Sequence, residues 1–435
     1  MFFKLKIFYY FLLIKLYKLS GFYRTSLFRK IQKRRLYHSL KKSTFYNKQL
    51  QNVKFVERFD TINKTIFMDN FDDINIAGIT LNKAMEVALN AENSKDYSNT
   101  IGTLSVGLST GTSGSRGIFL VSENERARWV AYILDRVIGF SFSKKRIAFF
   151  LRADNKLYQS VNSRLFEFNF FDVQSQLNNH LSRLNKLQPD ILIAQPSVLI
   201  DISKEHRKGR IEIKPTKIIS VAEVLTKEDK SFIEDTFKTK LAEVYQCTEG
   251  FLASSCSEGS LHFNEDFLII EKNYIDKERK RFHPIITDLL RKTQPVIRYE
   301  LNDIITEKKH CKCNNPHMAI LNIEGRSDDS IKLKNKKNEE IIIYPDLIRR
   351  TIVLSDSLIK DYQVTYKDGA FMIYIDSKDE NSFFKAQKAL ENKLNSFDVY
   401  EIPIIKSKEI LHIQGKKKRR VLNLTHFLDE QMAHK

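Results

Sequence analysis

The residues best suited to chemistry lie in the run Leu108 to Gly117, LSTGTSGSRG. Small and hydroxylated residues let a backbone approach an anion closely. Their N–H and O–H groups can ring phosphate oxygens. The Gly-x4-Gly-Lys-Ser/Thr spacing of a Walker loop is absent. Taken alone, the run also fits a Ser/Gly surface loop. A second set is Cys256, His262, Cys311 and Cys313. Three thiolates and an imidazole suit tetrahedral Zn²⁺. That role needs His262 beside the Cys311 turn in space, and His310 and His317 compete as the fourth ligand. Cys247 reads as a small packed residue.

Elements must hold these residues in place. Apolar runs flank the loop, and from about 100 to 250 short apolar runs alternate with helical patterns. The expected strands are Leu104–Leu108, Ile118–Val121, Ile147–Leu151, Ile191–Ala194, Ile218–Ala222 and Ala242–Tyr245. The expected helices are Glu123–Ile138, Gln174–Leu187, Ser197–His206 and Lys227–Phe237. Ser122 and Glu125 have capping-box spacing. Such alternation predicts an α/β fold with a largely parallel sheet. The chain turns β-rich from about 260 to 325. After Arg326 a small α+β unit is expected. It has a charged loop at Lys332 to Glu340, a hairpin at Gln363 to Ile375 around Asp368–Gly369, a helix at Ser382 to Leu394 and an extended run at Ile402 to Ile413.

Composition bounds the rest. The 435 residues include 72 Lys+Arg and 53 Asp+Glu, a net charge of +19. At about 150 residues per domain, two or three domains are expected. Hydrophobic content of 42% supports sizeable cores, and four Cys exclude a disulfide scaffold. The charge is uneven: residues 1–56 hold 14 Lys+Arg and no acid. Within that arm the longest uncharged run, Ile7 to Ile14, falls far short of the about 20 residues of a membrane span. No small-residue cleavage site follows it. The start therefore reads either as an interfacial helix with a basic face or as a helix docked on the protein's own body. The expectation is a cytoplasmic protein with possible peripheral membrane contact.

Five further stretches follow the loop in order. They are IISVAEVL at 218–225, YQCTEG at 245–250, IRYELND at 297–303, EGRSDD at 324–329 and GKKKRR at 415–420. Together the six resemble the adenylate-forming superfamily of acyl-CoA ligases and peptide-synthetase adenylation domains. The branch they resemble is the phenylacetate-CoA-ligase-like one, near relatives of the deazaflavin-coenzyme adenylylating synthetase. The likeness implies a large α/β domain at 44–327, a small mobile α+β lid at 328–435 and a basic helical arm at 1–43.

The resemblance also implies roles. Ser109, Thr110, Gly111, Thr112, Ser113, Gly114 and Gly117 would hold the β- and γ-phosphates of ATP. Arg116 stands where the superfamily usually has Lys. Tyr245 and Thr248 would line the adenine and α-phosphate pocket, and Glu223 would join the nucleotide set. Glu249 would hold Mg²⁺. Asp303 and Arg326 would support the ribose, Asp328 matches the hinge, and Lys416 matches the lysine that the lid brings in. Relatives in this branch carry similarly placed cysteines that look like a structural zinc site. Each residue also has a plainer reading: Asp303 a turn residue, Glu249 a helix cap, Arg326 and Asp328 a surface pair, Lys416 a solvated charge.

The implied reaction is attack of a carboxylate on the α-phosphorus of ATP, with pyrophosphate leaving and an acyl-adenylate forming. Transfer to a thiol of CoA or an acyl carrier protein would follow. The stretch Lys332 to Ile343 lacks the Gly that CoA ligases usually carry after the hinge, which puts CoA in question. Alternatives are an adenylyltransferase acting on a hydroxyl, and a non-enzymatic basic binding protein. The ordered motifs argue against nucleic acid. The acid pocket is expected around Phe149 to Tyr158, Phe170, Phe171 and the Ala222–Glu223 turn, with Arg152 facing a substrate carboxylate or a structural partner.

Overall fold

The structure, a computed structural model, describes residues 2–94, 100–108, 117–139, 143–151, 165–173, 175–326, 329–356, 358–411 and 419–425. Helices lead the chain: α1 (Phe2–Leu19), α2 (Ser26–Leu40), α3 (Thr44–Asn52), α4 (Lys64–Asp69), α5 (Phe71–Ile74) and α6 (Leu81–Ser94). Thr25, Ser43 and Asn63 cap three of them by accepting backbone N–H bonds. Ser43 also donates to the carbonyl of Asp73 at 2.9 Å. Leu36 and Leu40 of α2 are fully buried in the same core as the main sheet. The arm thus shares the core of the body.

A three-stranded antiparallel sheet follows, β1 (Thr100–Ile101), β2 (Leu104–Leu108) and β3 (Ile118–Val121). Its register pairs Leu108 with Ile118, so the two feet of the glycine loop stand side by side. Gly107 faces Phe119, and a Cβ there would fall 1.8 Å from the ring. Next comes α7 (Glu123–Ile133), which continues as a π turn over Leu134–Ile138. The Ser122–Glu125 capping box is present in both directions. Gly139, at φ +86°, ends the run.

The main sheet has two halves. Strands β4 (Lys145–Leu151), β5 (Phe166–Asp172), β6 (Ile191–Ala194), β7 (Lys217–Val221) and β8 (Leu241–Cys247) are parallel, in the order β5-β4-β6-β7-β8. Helices α8 (Asn178–Leu187), α9 (Pro196–Arg207) and α10 (Lys227–Phe237) connect them. β6 is buried at every residue, as a strand covered on both faces must be. Beyond β8 the sheet turns antiparallel. It runs through β9 (Gly250–Ser255), β10 (Leu261–Phe263), β15 (Ala319–Arg326), β14 (Asp303–Lys308), β12 (Arg281–Asp288) and β11 (Leu268–Tyr274), with β13 (Tyr299–Glu300) beside β12.

The remaining elements build a second core. They are the hairpin β16 (Ile331–Lys334) and β17 (Glu340–Ile343), α11 (Pro345–Ser355), β18 (Ile359–Lys367), β19 (Ala370–Ser377), α12 (Ser382–Asn395), β20 (Ile404–Lys406) and β21 (Val421–Asn423). The sheet order is β20-β19-β18-β21. Asp368 and Gly369, both at positive φ, make the two-residue turn expected there. The charged loop expected at Lys332 to Glu340 is a correction. Ile331 and Leu333 alternate buried with exposed Lys332 and Lys334, so this stretch forms a hairpin. Asn338, at φ +63°, fills a left-handed position in its turn.

Truncating Leu40 to Ala should cost about 2–5 kcal/mol, because the cavity would open inside the main core. The thermal midpoint of the large domain is expected to fall with it. An unchanged midpoint would mean that the arm is an appended tail.

Candidate active site

A cleft of about 1560 Å³ opens at the carboxyl ends of β7 and β8 and is closed on one side by the small domain. Ligands of open α/β sheets bind at such strand ends. Tyr245, Thr248, Glu249 and Asp303 all line it. The Tyr245 hydroxyl donates to Asp303 Oδ2 at 2.5 Å. Both Glu249 oxygens accept hydrogen bonds, Oε1 from the Tyr299 hydroxyl at 2.9 Å and Oε2 from the Thr248 hydroxyl at 2.7 Å. The β14–β15 register sets Arg326 opposite Asp303, although the Arg326 side chain lies outside the described part. Glu223 lines the cleft too, and its Oε2 accepts from the backbone of Ser197 at the start of α9, 3.3 Å away. Ala222, in the same turn, has φ +72°, a strained backbone for a residue with a Cβ.

Behind the cleft a buried guanidinium joins three segments. Arg291 donates to the carbonyls of Thr248 (2.9 Å) and Glu249 (3.0 Å), and to Leu120 of β3 (3.5 Å). Gln294 accepts from the Leu120 N–H at 2.9 Å. Glu125 accepts from Ser122 and from the N–H and hydroxyl of Thr293. Burial opposes the Glu125 charge, but those bonds outweigh it and hold the carboxyl below its usual range. The foot of the glycine loop and the Thr248–Glu249 corner therefore share one frame. Asp288 sits in it, accepting from Leu290 and Arg291, and burial pushes its carboxyl up to about 6.

The apolar wall comes from Trp129, Ile133 and Val137 of α7 and its π turn, with Phe149, Phe168 and Ile193 from the sheet. Phe149 matches expectation. Phe171 is a correction: it is buried away from the cleft and stacked on Phe150 at 4.7 Å. Strand alternation gives Phe168 the cleft face instead. The α7 residues were missed, because their apolar pattern looks like any packed helix. Arg136 in the π turn pairs with buried Asp266 at 2.5 Å and fixes this wall from behind.

Small-domain residues reach the opposite rim. Arg420 holds Asp229 of α10 through two bonds, at 2.6 and 3.4 Å. Gln363 accepts from the Leu411 N–H at 2.6 Å and donates to the Leu411 and Arg419 carbonyls. One buried side chain thus grips both feet of residues 412–418. Several sequence candidates lie outside the described residues: Ser109, Thr110, Gly111, Thr112, Ser113, Gly114, Arg116, Arg152, Asp328 and Lys416. Gly117 is described and is buried at the foot of β3.

A second cluster lies on the β9–β10 turn. The donor atoms of Cys256, His262, Cys311 and Cys313 all lie within 4.8 Å of one another. β10 pairs with β15, which brings the 309–318 loop over His262. His262 Nδ1 lies 2.8 Å from the carbonyl of His317, so Nδ1–H donates there and Nε2 faces Cys313 Sγ at 3.3 Å. Cys256 and Cys311 sulfurs are 3.7 Å apart. The backbone N–H of Cys313 pulls the Cys311 thiol below its usual range.

No family model matches the chain. Among curated proteins it is similar to Protein CapK of Staphylococcus aureus, 24% identical over 246 residues, covering 52% of this chain and 54% of that one. It is also similar to the indoleacetate–lysine synthetase of Pseudomonas savastanoi, 27% identical over 142 residues, 31% of this chain and 34% of that one. The matches therefore span about half and about a third of those relatives. Among solved structures, 2-hydroxyisobutyryl-CoA ligase in the postadenylation state superposes with a TM-score of 0.63 at 14% identity, covering 93% of this chain and 91% of that one. The same ligase in its thioesterification state gives 0.54. An anthranilate CoA ligase in complex with anthranoyl-AMP gives 0.52 at 13% identity, over 76% and 67% of the two chains. The amide bond synthetase of Marinactinospora thermotolerans gives 0.53 at 9% identity, over 76% and 69%.

The raised Asp288 carboxyl has a pH signature. The folded state holds its proton more tightly than the unfolded chain, so its contribution to stability is full at low pH and is lost as pH rises through about 6. Asp288→Asn should remove that loss. Unfolding midpoints of the variant, relative to wild type, are expected to rise between about pH 4 and 6. A constant difference across that window would contradict the assignment.

Proposed function

We propose that this chain, which has the fold of the adenylate-forming ligases, activates a small carboxylic acid with ATP and passes the acyl group to a thiol. The observation that carries this reading is the cleft itself. One end is apolar, walled by Trp129, Phe149 and Phe168, and the other gathers Tyr245, Thr248, Glu249 and Asp303. The apolar end suits the acid's body and the polar end suits a nucleotide.

The chemistry balances simply. A carboxylate oxygen forms a bond to the α-phosphorus, the bond to the bridging oxygen breaks, and pyrophosphate leaves. Asp303, oriented by Tyr245, would accept ribose hydroxyls. Glu249, with Tyr299 and Thr248 fixing its two oxygens, would hold Mg²⁺, which supplies charge neutralisation for the triphosphate. Residues 109–117 with Arg116 would cradle the leaving phosphates, and Lys416 would stabilise charge on the phosphorus oxygens. Thiolate attack on the acyl carbon would then release AMP. CoA is the acceptor proposed for this step, because 2-hydroxyisobutyryl-CoA ligase, which shares the fold, holds CoA in its thioesterification state.

The Cys3His cluster fits Zn²⁺. Tetrahedral coordination with Zn–S bonds of about 2.3 Å puts sulfurs about 3.8 Å apart. The Cys256–Cys311 separation of 3.7 Å agrees. The His262–His317 bond supplies the orienting partner such ligands need. A structural role is proposed, since the site belongs to the hairpin and the loop that closes over it. Protein purified without chelator should hold about one zinc per chain, and Cys313→Ser should lose it and melt lower. Metal-free wild type would reject the site.

The reaction is tested by its products. With ATP, Mg²⁺, acid and CoA, free AMP and an acyl thioester are expected by mass spectrometry. A stable product carrying AMP on a hydroxyl would move the chain to the adenylyltransferases. Lys416→Ala should cut acyl-adenylate formation by about 10²-fold or more. Gln363→Ala, which frees both feet of that segment, should lower the same step while leaving ATP binding intact. Wild-type adenylate formation by Lys416→Ala would end that assignment.

A further inference from the structure

Helix α1 is apolar almost all the way round, yet only one side of it is covered. Ile7, Phe11 and Ile14 face inward and are buried, with Ile7 packed beside Ala127 and Val130 of α7. Lys6 pairs with Glu123 at 2.7 Å, and Lys15 with Asp135 at 2.8 Å. Lys18 also pairs with Asp135. These bonds fix which side points out. The outward arc carries Phe2, Leu5, Phe8, Tyr9, Leu12, Leu16 and Leu19, between 49% and 87% exposed. At 100° per residue, Leu5, Tyr9, Leu12, Leu16 and Leu19 form one stripe along about 21 Å of helix. No charged residue falls within that stripe. Lys4 and Lys15 lie to one side of it and Lys6 to the other, while Lys18 lies on the inward side. A contiguous exposed stripe of this size marks an interaction surface.

We propose that this stripe is a docking surface for an anionic lipid bilayer. Charge selects the occupant. The stripe belongs to a segment, residues 1–56, with 14 Lys+Arg and no Asp or Glu. Exposed Arg24, Lys30, Arg34 and Arg35 follow directly after α1, and exposed Leu27 and Ile31 sit among them on α2. A protein partner would need only the apolar stripe. A surface of anionic headgroups over hydrocarbon matches both the stripe and the exposed positive charge of Arg24, Lys30, Arg34 and Arg35 beside it. None of the described helices is long and apolar enough to cross a membrane, so the helix lies in the interface. It does so next to the site, because α1 covers the outer side of α7, whose Trp129 and Ile133 line the cleft. The inference stands independently of the reaction proposed above.

Cosedimentation of the full chain with vesicles tests it. Vesicles of phosphatidylcholine containing about 30 mol% phosphatidylglycerol should pull the protein down, and phosphatidylcholine alone should do so far less. The triple variant Leu5→Glu/Leu12→Glu/Leu16→Glu should lose at least about tenfold in partitioning while keeping its melting midpoint, because all three side chains are exposed. Lys30→Glu/Arg34→Glu should lose the preference for anionic vesicles. Three results would overturn the proposal. One is wild type remaining in the supernatant with anionic vesicles. Another is undiminished binding by the triple variant. The third is a wild-type dimer in sedimentation velocity, without vesicle binding, that the triple variant breaks, since a second copy would then cover the stripe.

Discussion

A buried cation must find enough polar partners to replace its water. Arg291 finds them in the carbonyls of Thr248, Glu249 and Leu120, and the rest of the site depends on that choice. Its contacts bind the end of β8, where Glu249 sits, to β3, which leads out of the glycine loop. Glu125 repeats the logic with the opposite charge, gathering donors from Ser122, Lys292 and Thr293. Segments more than 120 residues apart in sequence thereby form one rigid wall. Polar groups that line the cleft are held by others that stand behind it.

Two further constraints act at the edges of this frame. The small domain is tied to the large one by Arg420 on Asp229, beside the Ala222–Glu223 turn. A partly buried, bidentate pair of this kind fixes geometry better than an exposed one does. At the other edge, three thiols and an imidazole close the β9–β10 turn against the 309–318 loop. The sheet between them is covered on both faces in its parallel half, so its strand ends are stiff where the cleft opens.

Much of this was legible in the sequence, for identifiable reasons. Apolar runs bounded by turn residues located β2, β3 and β6 to the residue. Ser122 and Glu125 announced the start of α7, because a capping box is a purely local device. The cysteines and His262 could be grouped by chemistry, but their meeting required the β10–β15 register, which no local pattern encodes. The same limit hid Arg291, one basic residue among 72 Lys+Arg. Lys332 to Glu340 was misread because its charges masked the Ile331–Leu333 alternation. Phe171 was misassigned because a run of aromatic residues in a strand does not reveal which parity faces the cleft. The sidedness of α1 was hidden too, since a helix apolar all round has no preferred inward face until its lysines find Glu123 and Asp135.

The central claim is that the cleft joins ATP to a carboxylate. Pyrophosphate exchange into ATP, measured over a panel of short, long and aromatic carboxylic acids, tests it most directly. The account predicts exchange that depends on Mg²⁺ and on particular acids, without any thiol present. Exchange at the no-acid background for every acid, by protein that still binds ATP, would contradict it.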